Sequence, residues 1–259
     1  MDNVNEPTFR QVAFTHFVPG FFLGVISLFL FKDAIPALKL HLLLDNRLDL
    51  VDFLAGFANG VFVALAMAAF HLFRNRRAGN AGWRANVHQG PGTLLKRMGV
   101  GFLAGSLDIL FGLQSEGILA LTGMVLLILV GHVRLFIRHT GRVLRPGNSA
   151  SWRDVAELAR IYLTMLAGFT LVNASLEATH LMLGGSVPFG FGHDEGELFL
   201  NSLYYTVVSM TTLGFGDIVP VTWDGKLILI FQSLVSYVMF GLMIGIITRG
   251  VSGDDAGGV

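Results

Sequence analysis

Residues 198–221 read LFLNSLYYTVVSMTTLGFGDIVPV, and the chemistry they suggest belongs to the main chain. Gly214 and Gly216 stand two apart, preceded by the pair Thr211 and Thr212 and followed by Asp217. Glycine adopts positive φ without steric penalty, so this spacing lets consecutive carbonyls turn toward one axis. Carbonyls so arranged can replace the water shell of a dehydrated potassium ion. The expected ligands are the carbonyls of Thr212, Leu213, Gly214 and Phe215, with the Thr212 hydroxyl innermost. The side chains of Leu213 and Phe215 are expected to point away from that axis and pack against a preceding helix.

Such a loop needs an enclosing frame. Irregular backbone at membrane depth is tolerated only where protein covers it or where it lines a water-filled path, because orphan carbonyls in hydrocarbon cost several kcal/mol each. Residues 201–210 have helical character and end at the Thr pair and the glycines, so a short helix followed by an irregular return is expected.

The rest of the chain supplies the membrane. Of 259 residues, 53% are apolar and only 14% charged, which marks an integral membrane protein. Six spans are expected, at 12–31, 51–73, 98–113, 117–138, 156–182 and 227–248; the third is short and carries Asp108. The first is preceded by Asp2 and Glu6 rather than a basic region, and reads as a retained helix. With the N-terminus cytoplasmic, fourteen Lys and Arg residues fall inside and four outside, and both termini are cytoplasmic. That parity makes the 198–221 segment enter and leave on one side. Net charge is zero, which argues against a nucleic-acid partner, and the absence of Cys removes thiol chemistry.

The run MTTLGFGDIVPVT resembles the signature of potassium channels, usually written TVGYGD, over about residues 157–249. The resemblance implies a selectivity filter at Thr212, Leu213, Gly214, Phe215 and Gly216, held between an outer helix, a re-entrant pore helix and an inner helix. It also implies filter support from Thr211, Asp217, Tyr204 and Tyr205; Tyr204 takes the position that bonds the filter aspartate in the family. In the last span Ser236 takes the place of a hinge glycine, followed by Gly241 and Gly245. Tyr237, Phe240 and Ile244 match positions that line the cavity and inner constriction. Phe215 and Leu213 depart from the common Tyr and Val, which puts filter rigidity and sodium exclusion at issue.

Six spans with the pore between the fifth and sixth resemble the layout of voltage-gated channels. The fourth span, however, is uncharged from Gly117 to Gly131. A sensor needs arginines through the membrane centre, so Arg134, Arg138, Arg142 and Arg145 read as a helix end anchored at headgroups, the alternative being a degenerate or unusual sensor. Asp108 is expected to pair with His71 or His132, or to sit at an outer hairpin exit. Residues 32–50 suggest an interfacial helix or an extension of the second span. Asp194, Glu195, Glu197, Asp217 and Asp224 suggest an acidic vestibule or a solvated loop.

The expectation is an all-α membrane protein of voltage-gated-like ion channel architecture. It comprises a four-helix region at 1–150, a pore domain at 151–250 and a short tail at 251–259. The function expected is that of a homotetrameric potassium channel in a plasma membrane, with high Gly and Arg and no Cys leaning toward a bacterial inner membrane. No catalysis, no cofactor beyond permeant K+ and no soluble partner are expected. The alternatives are a weakly selective cation channel of the same build and a transporter with a re-entrant loop.

Overall fold

Long apolar runs leave the backbone no hydrogen-bond partner but itself, and helices dominate accordingly. The computed structural model describes residues 7–31, 50–80, 91–112, 115–143, 150–192, 195–248 and 251–252. These form helices α1 (Phe9–Phe31), α2 (Leu50–Asn80), α3 (Pro91–Gly112), α4 (Ser115–Val143), α5 (Trp152–Met182), α6 (Glu195–Met210) and α7 (Trp223–Thr248). Two short strands, β1 (Ala150–Ser151) and β2 (Val251–Ser252), pair in parallel. This is the all-α membrane architecture expected from the sequence. The suggested interfacial stretch, Arg145, Asp194 and most of the tail lie outside the described residues.

Five helices among the described residues are long and apolar enough to cross a membrane: Phe9–Leu28, Phe53–Phe73, Thr122–Val143, Asp154–Met182 and Trp223–Thr248. The third expected span forms α3 but does not stand among them, since Lys96, Arg97 and Asp108 dilute its apolar character. Packing offsets this deficit. α3 lies against both α1 and α2, burying Val100 and Ala104, and a β-carbon on Gly105 would fall 2.9 Å from the Asn59 carbonyl oxygen. Small residues let helix backbones approach this closely without help from the hydrophobic effect.

The chain divides into two compact units, Met1–Leu121 and Thr122–Val259. The break falls inside α4, earlier than the boundary at 150 read from the sequence. From Thr122 on, α4 belongs with the second unit, where Leu129 packs on Gly168 of α5. Arg134, Arg138 and Arg142 ride on its C-terminal turns.

Local signals set the ends of α5. Ser151 caps its start: the Ser151 Oγ accepts from the Asp154 amide at 3.4 Å, and Asp154 Oδ2 accepts from the Ser151 amide at 3.0 Å. Asp154 also meets His139 Nε2 of α4 at 3.1 Å. At the other end Gly184 takes φ +67°. The Gly185 amide then reaches the His180 carbonyl at 3.0 Å and the Gly184 amide reaches that of Leu181 at 3.3 Å, closing a Schellman turn. The chain is thereby turned back toward α6.

Candidate functional site

The loop between α6 and α7 is built on the end of α6. The amides of Leu213 and Gly214 both reach the Val208 carbonyl, at 3.0 and 3.3 Å, and the Thr212 amide reaches Ser209 at 3.2 Å. These bonds satisfy orphan carbonyls at the helix C-terminus and fold the chain back over it. From there the backbone alternates. Thr212, Gly214 and Gly216 have φ of +62°, +53° and +75°, with Leu213 and Phe215 between them in ordinary conformations. The two glycines were expected in this role. Thr212 was not, because a β-branched residue rarely enters the left-handed region. Its conformation extends the alternation to three positions and gives successive carbonyls a way to face one side.

Thr211 anchors itself locally, its hydroxyl donating to the Val207 carbonyl at 2.7 Å. Leu213 and Phe215 are 59% and 64% exposed, so the packing expected for them against a helix is not supplied by their own chain. The Tyr204 hydroxyl donates to Asp217 Oδ2 at 2.6 Å. That bond holds the Asp217 carboxyl below the usual carboxylate range. Tyr204→Phe removes the donor, so Asp217 should titrate at higher pH, near the ordinary value of about 4. Carboxyl-carbon NMR of aspartate-labelled protein measures the midpoint, and one that does not move would mean that the phenol makes no bond in solution.

Tyr205 faces the opposite way. It packs with Phe189 and Phe191, whose rings stack at 4.7 Å, the Tyr205 ring lying 4.9 Å from that of Phe189. The loop carrying those rings is held by Glu177 of α5, which is wholly buried and accepts from the amides of Phe189 and Phe191 at 2.8 Å each. The same loop binds the segment that leads into α7, since the Val221 amide donates to the Pro188 carbonyl at 2.8 Å. Asn201 Nδ2 adds a bond to the Phe191 carbonyl at 2.6 Å.

Three helices meet behind the loop through buried polar groups. Asn173 Nδ2 of α5 donates to Thr206 Oγ1 of α6 and to Gln232 Oε1 of α7, each at 3.0 Å. The Ser202 hydroxyl donates to the Thr170 carbonyl at 2.7 Å. At the base of α6 the Met210 carbonyl accepts from the Tyr162 hydroxyl at 3.2 Å and from that of Ser236. None of Glu177, Asn173, Thr206 or Gln232 was singled out in the sequence. A polar residue inside an otherwise apolar span was the available signal.

Ser236, which stands where the family often has a hinge glycine, is fully buried and bonded to the end of α6. Tyr237, Phe240 and Ile244 are exposed along α7, Tyr237 to 72%, and a β-carbon at Gly241 or Gly245 would meet nothing within 4 Å. Outside the loop, Asp224 is not a free vestibule acid. It lies 2.7 Å from His180 Nε2 and joins the starts and ends of α7 and α5. Glu197 packs over Gly192. Among the described residues no cluster of three His, Cys, Asp or Glu side chains forms a metal site.

The family described as Ion channel matches residues 162–252, which is the segment just described. That segment is similar to the ion channel family, and its apolar helices mark the chain as a multi-pass membrane protein. The similarity runs to potassium channels. Over 46 residues it is 54% identical to TWiK family of potassium channels protein 18 of Caenorhabditis elegans, covering 16% of this chain and 10% of that one. Over 36 residues it is 53% identical to a hyperpolarization-activated voltage-gated potassium channel of Methanocaldococcus jannaschii, covering 14% and 17%. Over 59 residues it is 34% identical to human potassium voltage-gated channel subfamily KQT member 3, covering 23% and 7%. The matched stretch thus spans a small part of these relatives' length. No solved structure matches the chain significantly.

Proposed function

We propose that the chain is one subunit of a homotetrameric, potassium-selective channel that passes K+ down its gradient. The observation that carries this reading is the alternation of left-handed backbone at Thr212, Gly214 and Gly216. It lets the carbonyls of Thr212, Leu213, Gly214 and Phe215 face one side, as replacement of an ion's water shell requires. One such strand cannot surround an ion, so several copies must share the axis. The apolar surface that a single chain leaves open at Leu213, Phe215, Val219 and Tyr237 suits burial between copies. The names of its potassium-channel relatives support the same choice of ion.

Conduction then proceeds by multi-site binding and repulsion between neighbouring ions, without covalent chemistry or a cofactor. The basic excess on one side of the spans supports termini in the cytoplasm of a plasma membrane, in keeping with a bacterial inner membrane. The lipid bilayer is the surrounding partner, and no soluble partner is called for.

Bi-ionic recording from purified protein in planar bilayers tests selectivity. A hundredfold preference for K+ over Na+ should move the reversal potential by about 120 mV, at roughly 59 mV per decade. A shift near zero would replace this reading with that of a weakly selective cation channel, to which the missing phenol hydroxyl at Phe215 would then be the lead.

A further inference from the structure

Among the described residues Asp108 is the one acid buried in the first compact unit, and it finds neither histidine that the sequence offered. His71 of α2 pairs instead with Arg97 of α3, and His132 bonds the Ile128 carbonyl of its own helix. Asp108 is 93% buried, on 7% exposure. Its Oδ2 rests on the backbone of α1 at Gly24, where a β-carbon would fall 1.6 Å from it. The one side-chain donor it is given is Asn59 Nδ2 of α2, at 3.4 Å. That amide spends its better bond on the Gly105 carbonyl, at 2.8 Å.

The remaining oxygens are unmatched. Asp108 Oδ1, Asn59 Oδ1 and Ser106 Oγ are all buried without a hydrogen-bond partner. Two acceptors without a donor, Asp108 Oδ1 and Asn59 Oδ1, are the surroundings in which a carboxylate is least stable and a carboxylic acid most useful. The acid form adds the missing O–H, whereas the ionised form sets an unpaired charge among helix carbonyls. Among the described residues of the three packed helices no opposite charge is near enough to change this. The nearest titratable residues on the packed helices are His16 of α1, eight residues from Gly24, Asp52 of α2, seven from Asn59, and Arg97 of α3, eleven from Asp108. At 1.5 Å per residue these lie about 12, 10 and 16 Å along the axes. A metal cation fits less well than a proton, since the carboxylate oxygen already fills the space above Gly24 and an amide N–H points at it.

We propose that Asp108 is a proton-binding site that remains a neutral acid at pH 7 and holds α1 against α2 and α3. The proposal is independent of whether the pore conducts. Because the folded protein keeps this proton above the range where a free aspartate loses it, unfolding releases it. The site should therefore contribute less stability as pH rises from about 4 toward the pH at which the buried acid ionises.

Infrared spectroscopy of the full-length protein, reconstituted in lipid with aspartate carrying carboxyl carbon-13, reads the site directly. One un-ionised aspartate band per chain is expected at pH 7, lost in Asp108→Asn. The thermal midpoint should fall more steeply with rising pH in the wild type than in Asp108→Asn. If Asp108→Asn does not fold, Asn59→Ala keeps the acid and removes its donor, and should shift the band toward that of a freer acid. A wild type without an isotope-sensitive acid band overturns the proposal. So does a band that survives Asp108→Asn, or one that Asn59→Ala leaves in place.

Discussion

Purified Gly214→Asp should pass no potassium current in planar bilayers, although the protein should still assemble. Gly214 has φ +53°, and a β-carbon there would meet nothing within 4 Å of its own chain. A side chain therefore does its damage through the backbone and through charge rather than by a clash within the subunit. Left-handed backbone costs a residue with a β-carbon about 1–2 kcal/mol, so the proposed tetramer, with four copies around one axis, would lose about 4–8 kcal/mol. Gly214→Ala should meet that cost alone and lose selectivity and conductance together. Gly214→Asp adds four carboxylates to the ring and should abolish flux. Light scattering separates failed conduction from failed assembly. An assembled Gly214→Asp protein that conducts like the wild type would mean that ions do not pass these carbonyls.

How far the loop could be read from its sequence depended on whether the determinant was local. Gly214 and Gly216 announce positive φ by residue type, and both have it. Thr212 shares their conformation for a reason no propensity encodes: its amide is pinned to Ser209, and the two following amides both converge on Val208. Tertiary closure overrides the β-branched preference there. Tyr204 and Asp217 were paired through the resemblance to potassium channels, and the two side chains are bonded in the structure.

The inner helix was harder. Ser236 and Tyr237 are adjacent, and helical spacing separates their faces by about 100° without saying which face meets which neighbour. The structure turns Ser236 to the Met210 carbonyl and leaves Tyr237 open, because α6 ends beside that turn of α7. The histidine partners expected for Asp108 failed for a related reason. Pairing an acid with a histidine is a guess about charge, whereas its actual neighbours are a glycine on α1 and an amide on α2 that only the packing of three helices brings together.

Glu177 was the least legible residue and should be among the costliest to lose. An acid five residues from the end of an apolar helix looks like one that reaches the headgroups, yet this one is fully buried and caps two amides twelve and fourteen residues further on. It acts on the filter at second hand. By fixing Phe189 and Phe191 it positions the Pro188 carbonyl that receives the Val221 amide, and it seats the rings on which Tyr205 packs. Hydrogen bonds to a charged group contribute about 1.5–3 kcal/mol each, so Glu177→Ala should lose about 3–6 kcal/mol per chain. Glu177→Gln should lose about half, since an amide offers one acceptor and turns a donor toward the second N–H. Glu157 provides the contrast. It pairs with Arg160 at 2.5 Å where both side chains are open to solvent, and Glu157→Ala should lose at most about 1 kcal/mol. Thermal unfolding of the assembled protein should then show a fall on the order of 10 °C for Glu177→Ala against a few degrees or less for Glu157→Ala. Equal falls would place the hold on the 188–191 loop elsewhere than in this carboxylate.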